Sequence, residues 1–137
     1  NRLQNVGYML ERMVESPVEN NGVLVTWGTN VHDGSHREGE TEVLAILHPI
    51  KRELKPDGKL AVSDHVGKAN YNNAELHRIQ SAIVEALLQK AGFEIEARSD
   101  LLASDQDDYA RSIFDDDLRY KTDRTLIRVK KPDITPE

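Results

Sequence analysis

The sequence contains no cysteine. This absence excludes a disulfide framework and any chemistry that needs a thiolate, and it is compatible with a reducing cytoplasm. Long hydrophobic runs are also missing, because no segment approaches the roughly 18 to 20 apolar residues that a membrane helix needs. The N-terminus lacks a basic region followed by an apolar one. We therefore expect no signal peptide, no membrane partner and a cytoplasmic location.

Basic residues are the minority among the charged ones. The chain has 18 Lys and Arg against 24 Asp and Glu, which gives a formal net charge of -6. No basic stripe runs along the sequence, so we expect no nucleic-acid partner. The 137 residues suffice for one domain with a hydrophobic core, but they are too few for two ordinary domains.

Apolar residues recur at helical or strand spacing along most of the chain. This spacing predicts three helices and four strands: helices over residues 3–14, 40–54 and 75–91, and strands over residues 23–27, 60–62, 93–97 and 124–130. Such an alternation is typical of an α/β sheet that is parallel in its middle, with final strands able to pair antiparallel at the edge. Polar loops are predicted over residues 28–36 and 66–73, and residues 100–114 are irregular or short-helical.

Three segments follow from this division. Residues 1–22 are an N-terminal helix and turn, residues 23–131 form the α/β domain, and residues 132–137 are a loose tail with two prolines. The aspartates of residues 105–108 and 115–117 are expected to form a solvated acidic surface.

The stretch from Leu54 to His65 organises the chain. Pro56, Asp57 and Gly58 form a turn after a helix, because proline cannot continue a helix and glycine accepts positive φ. Residues 60–62 then fit a strand that is covered on both faces. Asp64 and His65 follow at the carboxyl end of this strand, where ligands bind in open α/β sheets.

A second polar group follows the preceding strand in the same way. Asn30, His32 and Asp33 come just after the run that ends at Trp27. A histidine there could accept a proton from a substrate, because the pKa of histidine lies near neutrality. The alternative is a solvated loop in which Asn and Asp form local turns. Trp27 could form a wall of a binding pocket, but a tryptophan in a strand is more often a core residue.

With this order in view, the chain resembles the carboxyl-terminal part of a class I S-adenosylmethionine-dependent methyltransferase. The turn Leu54–Leu60 resembles the "LKPGG-L" before the fifth strand of that family, and residues 91–93 resemble its "AGF". One bacterial branch of predicted methyltransferases is more similar still. Its "DH", "LHRI" and "KTD" motifs correspond to residues 64–65, 76–79 and 121–123.

The resemblance implies a Rossmann-like, doubly wound sheet and methyl transfer from S-adenosylmethionine to an unidentified small-molecule acceptor. It also implies roles for individual residues: catalysis by His32 and His65, cofactor binding by Trp27, Asn30 and Asp33, and substrate binding by Asp64, His77 and Arg78.

One element of the family is missing. No glycine-rich loop of the kind that approaches the cofactor lies before Val23. The chain is therefore expected to supply only one wall of the cofactor pocket, to be inactive or weakly active alone, and to expose a strand edge. An open edge favours association, so a homo-oligomer through that edge is expected.

Two other functions remain open at this point. The first is a non-catalytic truncated domain that associates through its open sheet edge. The second is a metal-dependent hydrolase that uses the histidines and aspartates near the two strand ends, which are His32, Asp33, His36, Asp64 and His65. Their spacing matches no known metal motif, so we expect no metal site.

Overall fold

The computed structural model describes residues 22–28, 31–37 and 39–133. The predicted N-terminal helix, the end of the tail and Asn30 lie outside these residues. The strands are β1 (Gly22–Gly28), β2 (Leu54–His65), β3 (Glu94–Arg98) and β4 (Arg124–Lys130). The helices are α1 (Val31–Arg37), α2 (Glu40–Glu53), α3 (Asn73–Leu76) and α4 (Ser81–Lys90), with a 3₁₀ turn at Asp116–Leu118.

The four strands form one mixed sheet in the order β1-β2-β4-β3. β1 and β2 run parallel, whereas β4 lies antiparallel between β2 and β3. This arrangement confirms the predicted α/β class and the antiparallel edge. Among the described residues, no strand pairs with the outer side of β1.

The predicted turn at Pro56–Gly58 lies inside β2 rather than before it. Gly22 of β1 pairs with Leu54, but Leu24 already pairs with Lys59. β2 thus inserts extra residues into the ladder as a bulge, and Pro56 can occupy it because a bulged residue needs no ladder N–H. The strand therefore begins at Leu54, earlier than predicted.

The hydrophobic core lies between one face of the sheet and helices α2 and α4. Its buried members are large aliphatic side chains from all of these elements, including Leu60, Val62, Ile127, Val129, Val43, Leu47, Val84 and Leu88. Each such burial is worth about 1.5–3 kcal/mol. On the opposite face, Ala61 and Ser63 are only half-buried. The described elements therefore cover β2 on one face, not on both as predicted. No helix within the described ranges has the length and apolar character to cross a membrane.

The predicted loop over residues 28–36 is wrong in its second part, because Val31–Arg37 form helix α1. Val31 is buried in the core. Gly34 lies so close to α2 that an added Cβ would come within 3.2 Å of the Val43 side chain. Tertiary packing thus stabilises a short helix that its Gly and Ser residues do not favour.

The predicted helix over residues 75–91 is also wrong, because the structure divides it in two. α3 ends at Leu76, His77 adopts a left-handed conformation with φ of 56°, and α4 begins at Ser81. Between them, Ile79 forms a parallel bridge with Val66. Its N–H donates to the carbonyl of His65 at 3.0 Å, and its carbonyl accepts from Gly67 at 2.8 Å.

A buried ion pair explains this interruption. Arg78 is fully buried, and its guanidinium donates to both carboxylate oxygens of Asp107 at 2.6 and 2.8 Å. It also donates to the carbonyls of Val66 and Arg111, both at 3.0 Å. A continuous helix would not place Arg78 among these acceptors. The ion pair therefore outweighs the tendency of the apolar spacing to form one helix. Asp107 is consequently buried. The prediction that it belongs to a solvated acidic surface is therefore wrong.

The ion pair also sets the ionisation of Asp107. Burial alone would raise the pKa of this carboxyl, but hydrogen bonds from Arg78 and from the N–H groups of Tyr109 and Asp123 outweigh burial and lower the pKa. Asp107 therefore stabilises the fold above the usual carboxyl pKa, and this contribution is lost as the pH falls through its lowered value.

We expect Asp107→Asn to lower the free energy of unfolding by about 3–5 kcal/mol, because it leaves the Arg78 charge buried without its partner. Chemical denaturation at neutral pH measures this change. Asp105→Asn, at an exposed position two residues away, is the matched control and should change stability by less than about 0.5 kcal/mol. Equal stabilities of the two variants would contradict the role of the pair.

Candidate functional site

The candidate site lies at the carboxyl ends of the parallel strands β1 and β2. Three segments meet there: the start of α1 with His32 and Asp33, the end of β2 with Asp64 and His65, and the left-handed residue His77 after α3. Parallel strands aim the polar residues that follow them at one edge of the sheet. The structure thus brings together five of the eight predicted site residues.

Asp64 is the central group of this site. Its side chain is fully buried and accepts three hydrogen bonds. The backbone N–H of His32 donates to one oxygen at 2.9 Å, while the backbone N–H of His65 and the Nδ1 of His32 contact the other at 2.7 and 2.8 Å. These donors compensate the carboxylate for the loss of water.

Asp64 thereby sets the hydrogen position on the His32 ring. An ionised carboxylate can only accept, so the Nδ1 of His32 carries the hydrogen and the Nε2 of the neutral ring carries a lone pair. The His32 side chain is only 3% exposed, and its Nε2 lies 3.4 Å from Oδ1 of Asp33. This nitrogen is therefore the proton-accepting or ligand-binding atom of the site.

His77 completes the group from the opposite side. Its Nδ1 lies 3.5 Å from the same Asp33 oxygen. Its ring packs edge to face against the His32 ring, with the two ring centroids 5.8 Å apart. The ring of Phe114 packs against the ring of His77, with the two centroids 4.8 Å apart. His77 was predicted as a substrate-binding residue near the start of a helix, but its position instead depends on the left-handed turn.

His65 lies beside the group with both ring nitrogens engaged. Its Nε2 accepts from Arg124 at 3.2 Å, so its Nδ1–H donates to Thr122 at 2.9 Å. Burial, together with the nearby Arg124 guanidinium, lowers the pKa of His65 to about 4. The ring is thus neutral and hydrogen-bonded at physiological pH. The catalytic role of His65 remains a prediction, and both of its ring nitrogens already have hydrogen-bond partners.

Of the three remaining predicted residues, Trp27 and Arg78 belong to the described part of the chain, and Asn30 lies outside it. Arg78 was predicted to bind substrate, but its guanidinium is occupied by Asp107. The backbone of Trp27 pairs with Val62. Its predicted cofactor contact, and that of Asn30, stay predictions. His36 contacts the carbonyl of Arg78 at 2.7 Å through its Nε2, so it anchors α1 instead of joining the site.

A groove of about 690 Å³ opens next to His65. Apolar side chains form much of its lining. Apart from His65, the lining comes from the segment before β4 and from the first residue of β4, and it includes Leu101, Leu102, Phe114, Leu118, Tyr120, Thr122 and Arg124. Phe114 lines this groove and also touches His77, so the groove adjoins the histidine group. Its volume and largely apolar lining suit a small organic molecule.

Residues of the irregular segment hold this groove in place, and most of them were not identified from the sequence. The Tyr109 hydroxyl donates to Asp123 at 2.7 Å, and the N–H of Asp123 donates to Asp107 at 2.9 Å. The hydrogen bond to Asp123 is the main reason why the pKa of Tyr109 rises to about 12. The only sequence signal for these residues was the resemblance of residues 107–108 and 121–123 to the methyltransferase branch.

We expect protein stability to fall as the pH falls from 6.5 to about 4. In this range the unfolded His65 binds a proton, whereas the folded His65 does not, so acidification favours the unfolded state. Denaturant unfolding at several pH values measures this slope. His65→Gln should flatten it, whereas the exposed control His48→Gln should not. An unchanged slope in His65→Gln would contradict the lowered pKa.

Comparison with known proteins yields structural neighbours only. No protein-family model matches the chain, and no curated protein matches it. The chain is similar to the 1,6-didemethyltoxoflavin-N1-methyltransferase of Burkholderia thailandensis, solved with bound 1,6-didemethyltoxoflavin and S-adenosylhomocysteine, at 15% identity and a TM-score of 0.57 over 88% of this chain and 48% of that one. It is also similar to the mitomycin 7-O-methyltransferase MmcR, at 17% identity and a TM-score of 0.57 over 88% of this chain and 32% of that one.

A third neighbour is the (4+2)-cyclase SpnF, at 17% identity and a TM-score of 0.56 over 88% of this chain and 53% of that one. The same fold thus supports different reactions, and at these identities the likeness shows the fold alone. The chain spans about a third to about a half of the length of these neighbours. It therefore has a Rossmann-like methyltransferase fold, as predicted, and corresponds to one part of the larger proteins that share it.

Proposed function

We propose that this chain takes part in methyl transfer from S-adenosylmethionine to a small-molecule acceptor. The observation that supports this function best is His32 at the carboxyl-end edge of a Rossmann-like methyltransferase sheet, held by Asp64 so that its Nε2 lone pair is available. The adjoining groove is where the acceptor would bind.

The chain's own residues would act on the acceptor. The nucleophilic heteroatom of the acceptor would lie within hydrogen-bond distance of Nε2 of His32. As this heteroatom forms its bond to the methyl carbon and the sulfur–methyl bond breaks, Nε2 would take the proton of the heteroatom. Asp64 would keep the ring in the required tautomer and stabilise its protonated form after the transfer. Asp33 and His77 would position the acceptor from the exposed side.

S-adenosylmethionine would supply the electrophilic methyl group. By the resemblance, Trp27, Asn30 and Asp33 would contact it, and of these side chains the structure describes Asp33, which is half-exposed beside His32. The outer side of β1, where such sheets continue, has no partner strand among the described residues. The described part fits the acceptor side of the site, so the rest of the cofactor pocket would come from residues outside the described ranges or from another chain.

A non-catalytic domain that associates through its sheet edge is the second candidate. The unpaired outer side of β1 within the described part of the chain favours it, because an open edge can pair with another strand. A homo-oligomer through this edge remains a prediction. A stable dimer without affinity for S-adenosylmethionine would support this candidate over methyl transfer.

We expect the chain, in its native assembly, to bind S-adenosylmethionine, and we expect His32→Gln to lower kcat by about 10²–10⁴-fold, which is the usual contribution of a general base. The dissociation constant for S-adenosylmethionine should stay the same, because His32 acts on the acceptor. Calorimetry with the oligomeric mass recorded in the same buffer measures binding, and a turnover assay with candidate acceptors measures kcat.

His48→Gln changes an exposed histidine of α2 and is the control that should leave both quantities unchanged. Full activity of His32→Gln would contradict the role of His32. The absence of S-adenosylmethionine binding at millimolar concentration would contradict methyl transfer by this chain.

A further inference from the structure

We infer that His32, Asp33 and His77 form a binding site for a divalent transition-metal ion of the Zn²⁺ type. One ligand atom from each residue lies within 4.8 Å of the other two. Two of the ligands are imidazole nitrogens and one is a carboxylate oxygen, a set that zinc and neighbouring ions bind in proteins. Nothing in the sequence spacing identified this site, and the inference departs from our expectation of no metal.

The distances between ligand atoms support an ion better than direct hydrogen bonds. Oδ1 of Asp33 lies 3.4 Å from Nε2 of His32 and 3.5 Å from Nδ1 of His77. Good hydrogen bonds between nitrogen and oxygen are shorter, at about 2.7–3.2 Å. Ligands at tetrahedral angles around zinc, each about 2.0–2.2 Å from the ion, lie about 3.3–3.5 Å apart. Asp33 therefore lies at the spacing expected if it shared one ion with both histidines.

Asp64 provides a second, independent argument. A histidine that binds a metal through one ring nitrogen usually donates from the other to a carboxylate, which fixes the ring and raises its basicity. The Nδ1 of His32 has this contact with Asp64 at 2.8 Å. The buried carboxylate thus already holds His32 in the tautomer and orientation that metal binding through Nε2 requires.

Charge and access also suit a cation. Asp33 and Asp64 together offer two negative charges, one at the ion and one behind its ligand. The positive charge of Arg78 is paired with Asp107. The side chains of Asp33 and His77 are 42% and 34% exposed, so an ion can enter from solvent and keep an open coordination position for water or a substrate oxygen.

The consequence for the acceptor rests on the proposed methyl transfer, but it replaces His32 as the base by the ion. A proton and the ion are alternative occupants of Nε2 of His32, so the metal-bound site would not use His32 as a base. An acceptor with a hydroxyl group would instead bind the open position, and the ion would lower the pKa of the hydroxyl so that its proton leaves to solvent. The resulting oxygen anion would then attack the methyl group. This chemistry favours oxygen acceptors.

Titration of the chelator-treated, full chain with ZnCl₂ by calorimetry tests the site. We expect one ion per chain. Asp33→Asn and His77→Gln should each weaken Zn²⁺ binding at least tenfold, and Asp64→Asn should weaken it by about 10–100-fold through the supporting hydrogen bond. His48→Gln, at the exposed face of α2, should bind like the unchanged chain.

Asp33 and His77 are partly exposed, so these two variants should fold, and thermal unfolding without metal checks this. Unchanged Zn²⁺ affinity in both variants would overturn the site, as would the absence of binding at millimolar ZnCl₂. The titration contains no methyl donor, so its failure would leave methyl transfer untouched. Intact Zn²⁺ binding without any binding of S-adenosylmethionine would instead overturn the proposed function and retain the metal site.

Discussion

The buried carboxylate of Asp64 is the constraint on which the site depends. A charge removed from water at the end of a central strand is costly unless donors surround it. Asp64 obtains them from His32 near the start of α1 and from the next residue of its own strand, so the need to satisfy one carboxylate fixes the position of His32. The tautomer of His32 and the direction of its Nε2 follow from this requirement, which acts together with the core packing that stabilises α1.

A second buried charge determines the other side of the site. Arg78 and Asp107 form a two-point ion pair, and Asp107 in turn accepts from the N–H groups of Tyr109 and Asp123. The irregular segment before β4 is therefore held against the end of β2, where it forms the groove. The same pair interrupts the helix at His77 and turns that side chain towards Asp33. Charged residues that the sequence would place on the surface are thus buried here, and they hold the segments that line the site.

The sequence predicted those features that depend on local spacing. The apolar patterns of α2, β3 and β4 gave these elements nearly their observed bounds, and the polar residues after β1 and β2 met at one edge, as parallel strands require. Prediction from the sequence failed where residues far apart in the chain determine the local structure. The break at His77 needs Asp107, and the helix at Val31 needs the core and Asp64. Neither partner is visible from spacing, and for the same reason the grouping of His77 with His32 and Asp33 could not be foreseen.

The site depends on the hydrogen bond by which Asp64 holds the hydrogen of the neutral His32 ring on Nδ1, so that Nε2 carries the lone pair. Nitrogen-15 NMR of the histidine rings in the metal-free protein near neutral pH tests it directly, because protonated and unprotonated ring nitrogens differ widely in chemical shift. We expect a hydrogen on Nδ1 of the neutral His32 ring and none on its Nε2. His36 should show the opposite tautomer, since its Nε2 donates to a carbonyl, and it serves as the internal reference. A hydrogen on Nε2 of a neutral His32 ring would contradict this role of Asp64.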